Sequence, residues 1–359
     1  MDKKDINAQI IALTQPFYDL SEDIAHGRIL ELAPPFESYK TYSGDIISYC
    51  NRFFEEYNSY LGEIQDEVVE RVGLMMSLLV KQASGREATF HLKDDVKALE
   101  EMIIHTLAQC FKGLPSEAVA VFEAGMLANN MHLFELIPQL SVGGVSYFRV
   151  RKDDGHELNS GKDLFHVPFD KRSYCGSYRY SIPGYPSLYL AKTLDIAKLE
   201  TGIQMGDTYY AACFRPKREL HFIDLALTQS FETIWERYSL LVFYPLIMAC
   251  GLKVRIPNAP FKPEYALPQV MAQVFRLHMK EGAFDGFSYI STKEDKPDFM
   301  DVNMRNFVLW IKGADQEKEY SKSLADEFTV SGPMKCRGDQ PTGEIENALM
   351  NSWFSQVLE

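Results

Sequence analysis

The sequence has no paired-cysteine pattern: Cys50, Cys110, Cys175, Cys213, Cys250 and Cys336 stand far apart, without CxxC spacing or the density of a disulfide framework. They read as reduced thiols of a cytoplasmic protein. Long hydrophobic runs are missing too. The apolar stretch 72–80 is bounded by Arg71 and Lys81 and is too short to span a bilayer, and no signal-peptide core follows the N-terminal Met-Asp-Lys-Lys. Positive charge is scarce. With 37 Lys and Arg against 50 Asp and Glu, the formal net charge of −13 speaks against broad binding to nucleic acid or to an anionic membrane surface. No P-loop or Rossmann glycine fingerprint occurs, and Gly143-Gly144 reads as a linker. His156, His166, Cys175 and His221 match no ligand spacing, so no metal site is expected. Internal repeats and low-complexity tracts are likewise absent from the 359 residues.

What is present is globular in composition, 46% hydrophobic and 24% charged, and the length favours two domains. Residues 1–140 carry a helical period. Ile46, Cys50, Phe53, Tyr57, Leu61, Ile64 and Val68 recur at steps of three to four, continuing through Val72, Met75 and Leu79. This predicts one long amphipathic helix, bent at Gly73. A second helix runs through Val96, Leu99, Ile103, Leu107 and Cys110, and Pro115 opens a third. After Leu140 the chain turns to short β-patterned segments at 145–150, 188–191, 209–214, 220–223, 287–290 and 307–311, with helical patterns at 231–250 and 265–279. This irregular mixture indicates an α+β domain over 141–315 after an all-α domain over 1–140. Residues 316–359 are expected to be a tail with a terminal helix from Glu344 to Val357.

The most informative run is Tyr178-Arg179-Tyr180-Ser181-Ile182-Pro183-Gly184-Tyr185-Pro186-Ser187-Leu188-Tyr189-Leu190-Ala191, with Glu200 eleven residues after Tyr189. Pro183-Gly184 marks a turn and Tyr189 a strand. Thr193 is a helix N-cap, and Gly202 a helix stop just beyond Glu200. A cation, an aromatic face and a carboxylate therefore follow one another on consecutive elements, as a charged, ring-bearing ligand would require.

Phe148-Arg149-Val150-Arg151, the 179–191 run, Glu200, Pro263-Glu264-Tyr265 and Phe284-Asp285-Gly286-Phe287-Ser288-Tyr289-Ile290-Ser291 resemble, in order and spacing, the RES-domain family. The resemblance covers residues 145–312. It implies a split β-sheet like that of ADP-ribosyltransferase toxins, with NAD bound in the cleft as substrate. It implies an NAD-degrading toxin of a toxin–antitoxin pair, an NAD+ phosphorylase or NAD+ glycohydrolase, usually partnered by a helix-turn-helix antitoxin. By position, Glu200, Arg149 and Ser291 match the catalytic set, while Arg179, Tyr189 and Tyr180 match the dinucleotide-binding set. The chemistry suits those residue types. Cleaving the nicotinamide–ribose bond builds positive charge that a carboxylate stabilises, guanidinium groups grip a pyrophosphate, and a cationic pyridine ring stacks on a phenol.

Two departures stand out. Val150 replaces an aromatic that follows the first Arg in some relatives, and Tyr178-Arg179-Tyr180-Ser181 replaces a Gly-Arg-aromatic-Asn turn. Both bear on the acceptor, inorganic phosphate or water. Two other readings stay open: transfer of ADP-ribose to a macromolecule, and a non-enzymatic nucleotide sensor whose helical half does the work. Glu264 reads more simply as a helix-start acid than as a catalytic group.

Overall fold

The computed structural model describes residues 3–37, 45–127, 133–226, 232–278, 283–293, 301–311 and 319–358. These fall into two compact units, one from Met1–Pro138 with Leu227–Val274, the other from Gln139–Ala226 with Phe275–Glu359. The fold class is α+β. The helical unit thus holds a segment, 227–274, that the sequence assigns to the second domain; the boundary expected at 315 lies outside the described residues.

The N-terminal part of the first unit forms α1 (Lys3–Ala25), α2 (Ile46–Glu63), α3 (Asp66–Ser84), α4 (Leu92–Phe111), α5 (Pro115–Leu127) and α6 (Leu133–Leu136). After α7 (Leu194–Thr201) of the second unit, the chain returns through α8 (Ile234–Cys250) and the first turns of α9 (Ala266–His278). The single helix predicted over 46–79 is two helices. Ile64 adopts extended angles and donates its N–H to the Leu61 carbonyl, and Asp66 and Glu67 favour the restart by facing the next helix dipole. Gly73 lies inside α3, and a Cβ there would lie 2.1 Å from the Phe90 carbonyl, so the glycine serves a close approach.

The start of α8 is fixed by a capping box between Thr233 and Glu236. From Arg237 to Cys250 every residue of α8 is buried, so it is the core of the unit. Its polar tips are matched: Tyr238 Oη donates to Asp95 at 2.6 Å and Tyr244 Oη to the Leu32 carbonyl at 2.5 Å, while the Leu241 carbonyl accepts from Tyr57 Oη at 2.5 Å.

The second unit is built on one mixed sheet of ten strands among the described residues. In chain order these are β1 (Gln139–Val142), β2 (Tyr147–Lys152), β3 (Ser187–Ala191), β4 (Thr208–Pro216), β5 (Leu220–Leu225), β6 (Gly286–Ile290), β7 (Arg305–Trp310), β8 (Phe328–Ser331), β9 (Met334–Arg337) and β10 (Phe354–Gln356). Their order is β1-β5-β6-β7-β3-β2-β4-β8-β10, with β9 also on β4. Among these described strands only β5 and β6 run parallel. The segment expected as a tail is part of the sheet: α10 (Lys322–Asp326), β8, β9, α11 (Thr342–Met350) and β10 all come from it. The terminal helix ends at Met350, short of the expected Val357.

One face carries Tyr147, Leu188, Leu190, Phe214, Phe222, Phe307 and Leu309, packed on Leu164, Phe165, Phe169 and Leu324. Across the sheet Phe148, Val150, Ala191, Ala211 and Cys213 pack on α7 and α11 through Leu194, Ile196, Ala197, Ile345 and Leu349. At about 2 kcal/mol per buried large side chain, these two layers hold the sheet. Between β2 and β3 a single residue pair joins the strands, Phe148 opposite Ala191, whereas β2 and β4 share six pairs and β3 and β7 share five.

Candidate active site

The site grows from that weak seam. On the parting strands, Arg149 is the first residue of β2 past the Phe148–Ala191 pair and Tyr189 the second of β3. The period-2 pleat puts Arg149 on the Tyr147 face and Tyr189 on the Ala191 face. The Arg149 Nη1 nevertheless donates to the Tyr189 carbonyl at 2.6 Å, taking a carbonyl that a continuous β2–β3 ladder would have used. Burial draws the Arg149 guanidinium down to about 10, with the Tyr178 and Tyr189 phenols opposing, so it remains charged at neutral pH.

Glu200 is delivered by α7. The Thr193 hydroxyl accepts from the Ile196 N–H at 3.4 Å to start that helix, and Gly202, at φ 70°, stops it. The carboxylate, 29% exposed, accepts from Asn306 Nδ2 at 2.7 Å. Lys293 Nζ lies 3.8 Å from its other oxygen and donates to the Glu200 backbone carbonyl. One carboxylate oxygen is therefore held by a neutral amide while the other faces a cation. Asn306 owes its place to register, for β7 sets it opposite Ala191 of β3 on one side and Tyr289 of β6 on the other.

Tyr289 is the common neighbour. Burial pushes its phenol well above the usual tyrosine range; the Glu200 carboxylate adds to this, then Tyr189 and Tyr180, while Arg179 opposes. Glu200, Tyr189, Tyr180 and Arg179 thus all bear on one phenol. Tyr180 is 2% exposed, its ring 4.9 Å from those of Phe287 and Tyr289. It braces Tyr289 and offers no open face for stacking, unlike the half-buried Tyr189, whose ring meets Tyr178 at 5.4 Å. Arg179 is also buried, with Nη2 donating to Thr292 Oγ1 at 2.8 Å. Ser291 is buried at the end of β6, where its Oγ accepts from the Lys293 N–H at 3.3 Å. No histidine partners it among the hydrogen bonds of the described residues.

Four contributors escaped sequence reasoning: Tyr289, Thr292, Lys293 and Asn306. The usable signal was Asn306, an amide in the otherwise apolar run Asn306-Phe307-Val308-Leu309-Trp310, since asparagine is depleted in strands without a polar task. On the opposite face Arg305 donates to Asp224 at 2.6 and 3.2 Å and to Ser288 at 2.7 Å, a buried pair that anchors β7 under the site. Two sequence-noted groups prove structural. Glu264 is buried in the helical unit and accepts from the Arg255 N–H at 3.0 Å. His166 is 1% exposed; its Nδ1 lies 2.7 Å from the Val167 carbonyl, and its Nε2 accepts from the Ser321 N–H at 2.9 Å. Among the described residues no cluster of His, Cys, Asp and Glu could hold a metal ion, and no helix is long and apolar enough to cross a membrane.

Comparison with known proteins yields no matching family model and no matching solved structure. One curated protein is similar. It is a protein of Bacillus subtilis (strain 168) named "Putative toxin YopC", 24% identical over 261 residues, which cover 67% of this chain and 58% of that protein. The chain therefore spans somewhat over half the length of this relative.

Proposed function

We propose that the protein is a toxin that degrades NAD by cleaving its nicotinamide–ribose bond, by phosphorolysis or hydrolysis. The observation that carries this reading is the grouping of Glu200, Tyr189 and Arg179 around Tyr289, beside the seam where Arg149 crosses to the Tyr189 carbonyl. The toxin name of the Bacillus subtilis relative supports the biological half of the reading.

In this reading Arg149 grips the pyrophosphate, and Tyr189 receives the cationic pyridine ring. The Glu200 carboxylate, with one oxygen fixed by Asn306, stabilises the charge that develops on the ribose as the glycosidic bond breaks. Ser291 hydrogen-bonds the ribose or the amide, and Arg179 and Tyr180 shape the wall. Lys293 stands where an incoming phosphate, or the water that replaces it, would need a cation.

The test is direct. Purified protein incubated with NAD, with and without inorganic phosphate, should release free nicotinamide, with ADP-ribose 1-phosphate or ADP-ribose as coproduct, and E200A should lose the release. No nicotinamide under either condition rejects the reading. Labelled NAD whose label ends on a macromolecule would instead favour ADP-ribose transfer.

A further inference from the structure

Tyr178 is 56% exposed, yet its place is fixed by three neighbours. Its N–H donates to Ser181 Oγ at 2.8 Å, and its carbonyl accepts from the Ser181 N–H at 3.2 Å and from Ser181 Oγ at 3.0 Å, so the turn 178–181 is clasped end to end. Its ring lies against Gly176, where a Cβ would stand 2.8 Å from Cζ and 2.9 Å from the phenol oxygen. The same ring meets that of Tyr189, with centroids 5.4 Å apart and planes at 58°. Its phenol is also one of the two that bear on Arg149. Single exposed aromatics are ordinary on protein surfaces. This one has room made for it by a glycine and stands beside two groups that the NAD reading assigns to substrate. Tyr178 and Ser181, which clasp each other, are also the two positions at which the turn departs from Gly-Arg-aromatic-Asn.

We propose that Tyr178 is the outer ring of the pyridine pocket, closing over the cationic ring that rests on Tyr189 and selecting the oxidised dinucleotide over the reduced one. This rests on the NAD reading above and adds a specificity-determining residue to it. A flat ring held between two others needs them about 7 Å apart, twice an ordinary contact distance, so the pair must open before the ligand enters. Tyr189 is half-buried in β3, which is laddered to β7, whereas Tyr178 is exposed on a turn. Tyr178 is therefore the ring that swings out and returns. A pyridinium between two phenol faces is attracted by both ring quadrupoles, and the uncharged dihydropyridine of NADH is not.

The same charge argument says which kinetic constant the outer ring governs. When the glycosidic bond breaks, its electron pair goes to the ring nitrogen and the positive charge to the ribose, so nicotinamide departs neutral. The two phenols thus hold the bound substrate more tightly than the transition state, and Tyr178 acts on KM rather than on kcat. A residue that merely held the 178–181 turn, and Arg179 with it, would lower kcat when removed.

The test has two arms. In nicotinamide release, Y178A should raise KM for NAD about tenfold with kcat equal to or above that of wild type, and Y178F, which keeps the ring face, should stay close to wild type. G176A, which pushes the ring aside without removing it, should raise KM in the same direction. In isothermal titration of the full chain carrying E200A, which leaves NAD intact, NAD+ should bind about tenfold more tightly than NADH, and most of that preference should vanish in E200A/Y178A. An unchanged KM in Y178A, a kcat that falls as far as kcat/KM, or a preference for NAD+ that survives in E200A/Y178A overturns the proposal while leaving the cleavage reading intact. If wild type releases no nicotinamide yet E200A shows the Tyr178-dependent preference, the cleavage reading fails and the pocket stands. Absence of both release and binding overturns both.

Discussion

At the scale of single residues, the candidate site depends on how one carboxylate is held. Asn306 gives Glu200 a fixed oxygen without neutralising it, so N306A should lower kcat for nicotinamide release about tenfold with little change in KM, because the group is needed as charge develops. N306D is the sharper probe. It sets a second carboxylate against Glu200 and should raise the acid limb of the pH–rate profile, whereas a purely structural role for Asn306 leaves that limb where it is. Beneath the sheet, Arg305 and Asp224 are each 4% exposed and paired, so D224A should cost about 3–5 kcal/mol by stranding a buried cation. The double variant D224L/R305M should recover most of that loss in urea unfolding. Equal destabilisation of single and double variants would place the cost in packing rather than in the unpaired charge.

Elements show what periodicity can and cannot convey. The helix carrying Glu200 was readable to the residue, because Thr193 and Gly202 are chemical punctuation that acts locally. All six strands read between 145 and 311 exist, with ends that coincide or shift by at most two residues. The return of α8 to the helical unit was not readable. A helix buried on all sides has no apolar stripe, and nothing in its own pattern says which core it fills. The short strands β8, β9 and β10 were missed because three or four residues in a polar stretch give period 2 too little length to register. The convergence of Glu200, Tyr189 and Arg179 was legible only through the ordered motifs, whereas Asn306 and Tyr289 join them by cross-strand register, a tertiary fact. Register also explains Gly286, where a Cβ would stand 1.7 Å from the Val308 carbonyl. G286A should therefore push β6 off β7, lower the urea midpoint by more than about 2 kcal/mol equivalent, and take activity with it by displacing Tyr289. A variant with wild-type stability would mean that the sheet yields there at no cost.

Across the whole molecule, the two units carry buried titratable groups of opposite sign. In the helical unit, burial raises Asp95 to about 6 and Glu100 to about 7, above their ordinary carboxylate values. Between those ordinary values and the raised ones the folded state binds more protons than the unfolded chain, so this contribution weakens as pH rises from about 4 to above 7. In the sheet unit, burial lowers His166 to about 4, and its Nε2 is already accepting from Ser321. There the unfolded chain binds more protons, so stability is complete above about 6.5 and declines as pH falls toward 4. Each shift corresponds to an effect on the order of 2–3 kcal/mol. Calorimetric melting should then find E100Q more stable than wild type at pH 8, by a few degrees, and indistinguishable from it at pH 4.5. H166Q, whose amide can accept from Ser321 and donate to Val167, should flatten the loss between pH 6.5 and 4 while leaving pH 8 unchanged. A fall in melting temperature of E100Q at pH 8 would mean that burial does not penalise the ionised Glu100 carboxylate, and the direction of its shift would be wrong.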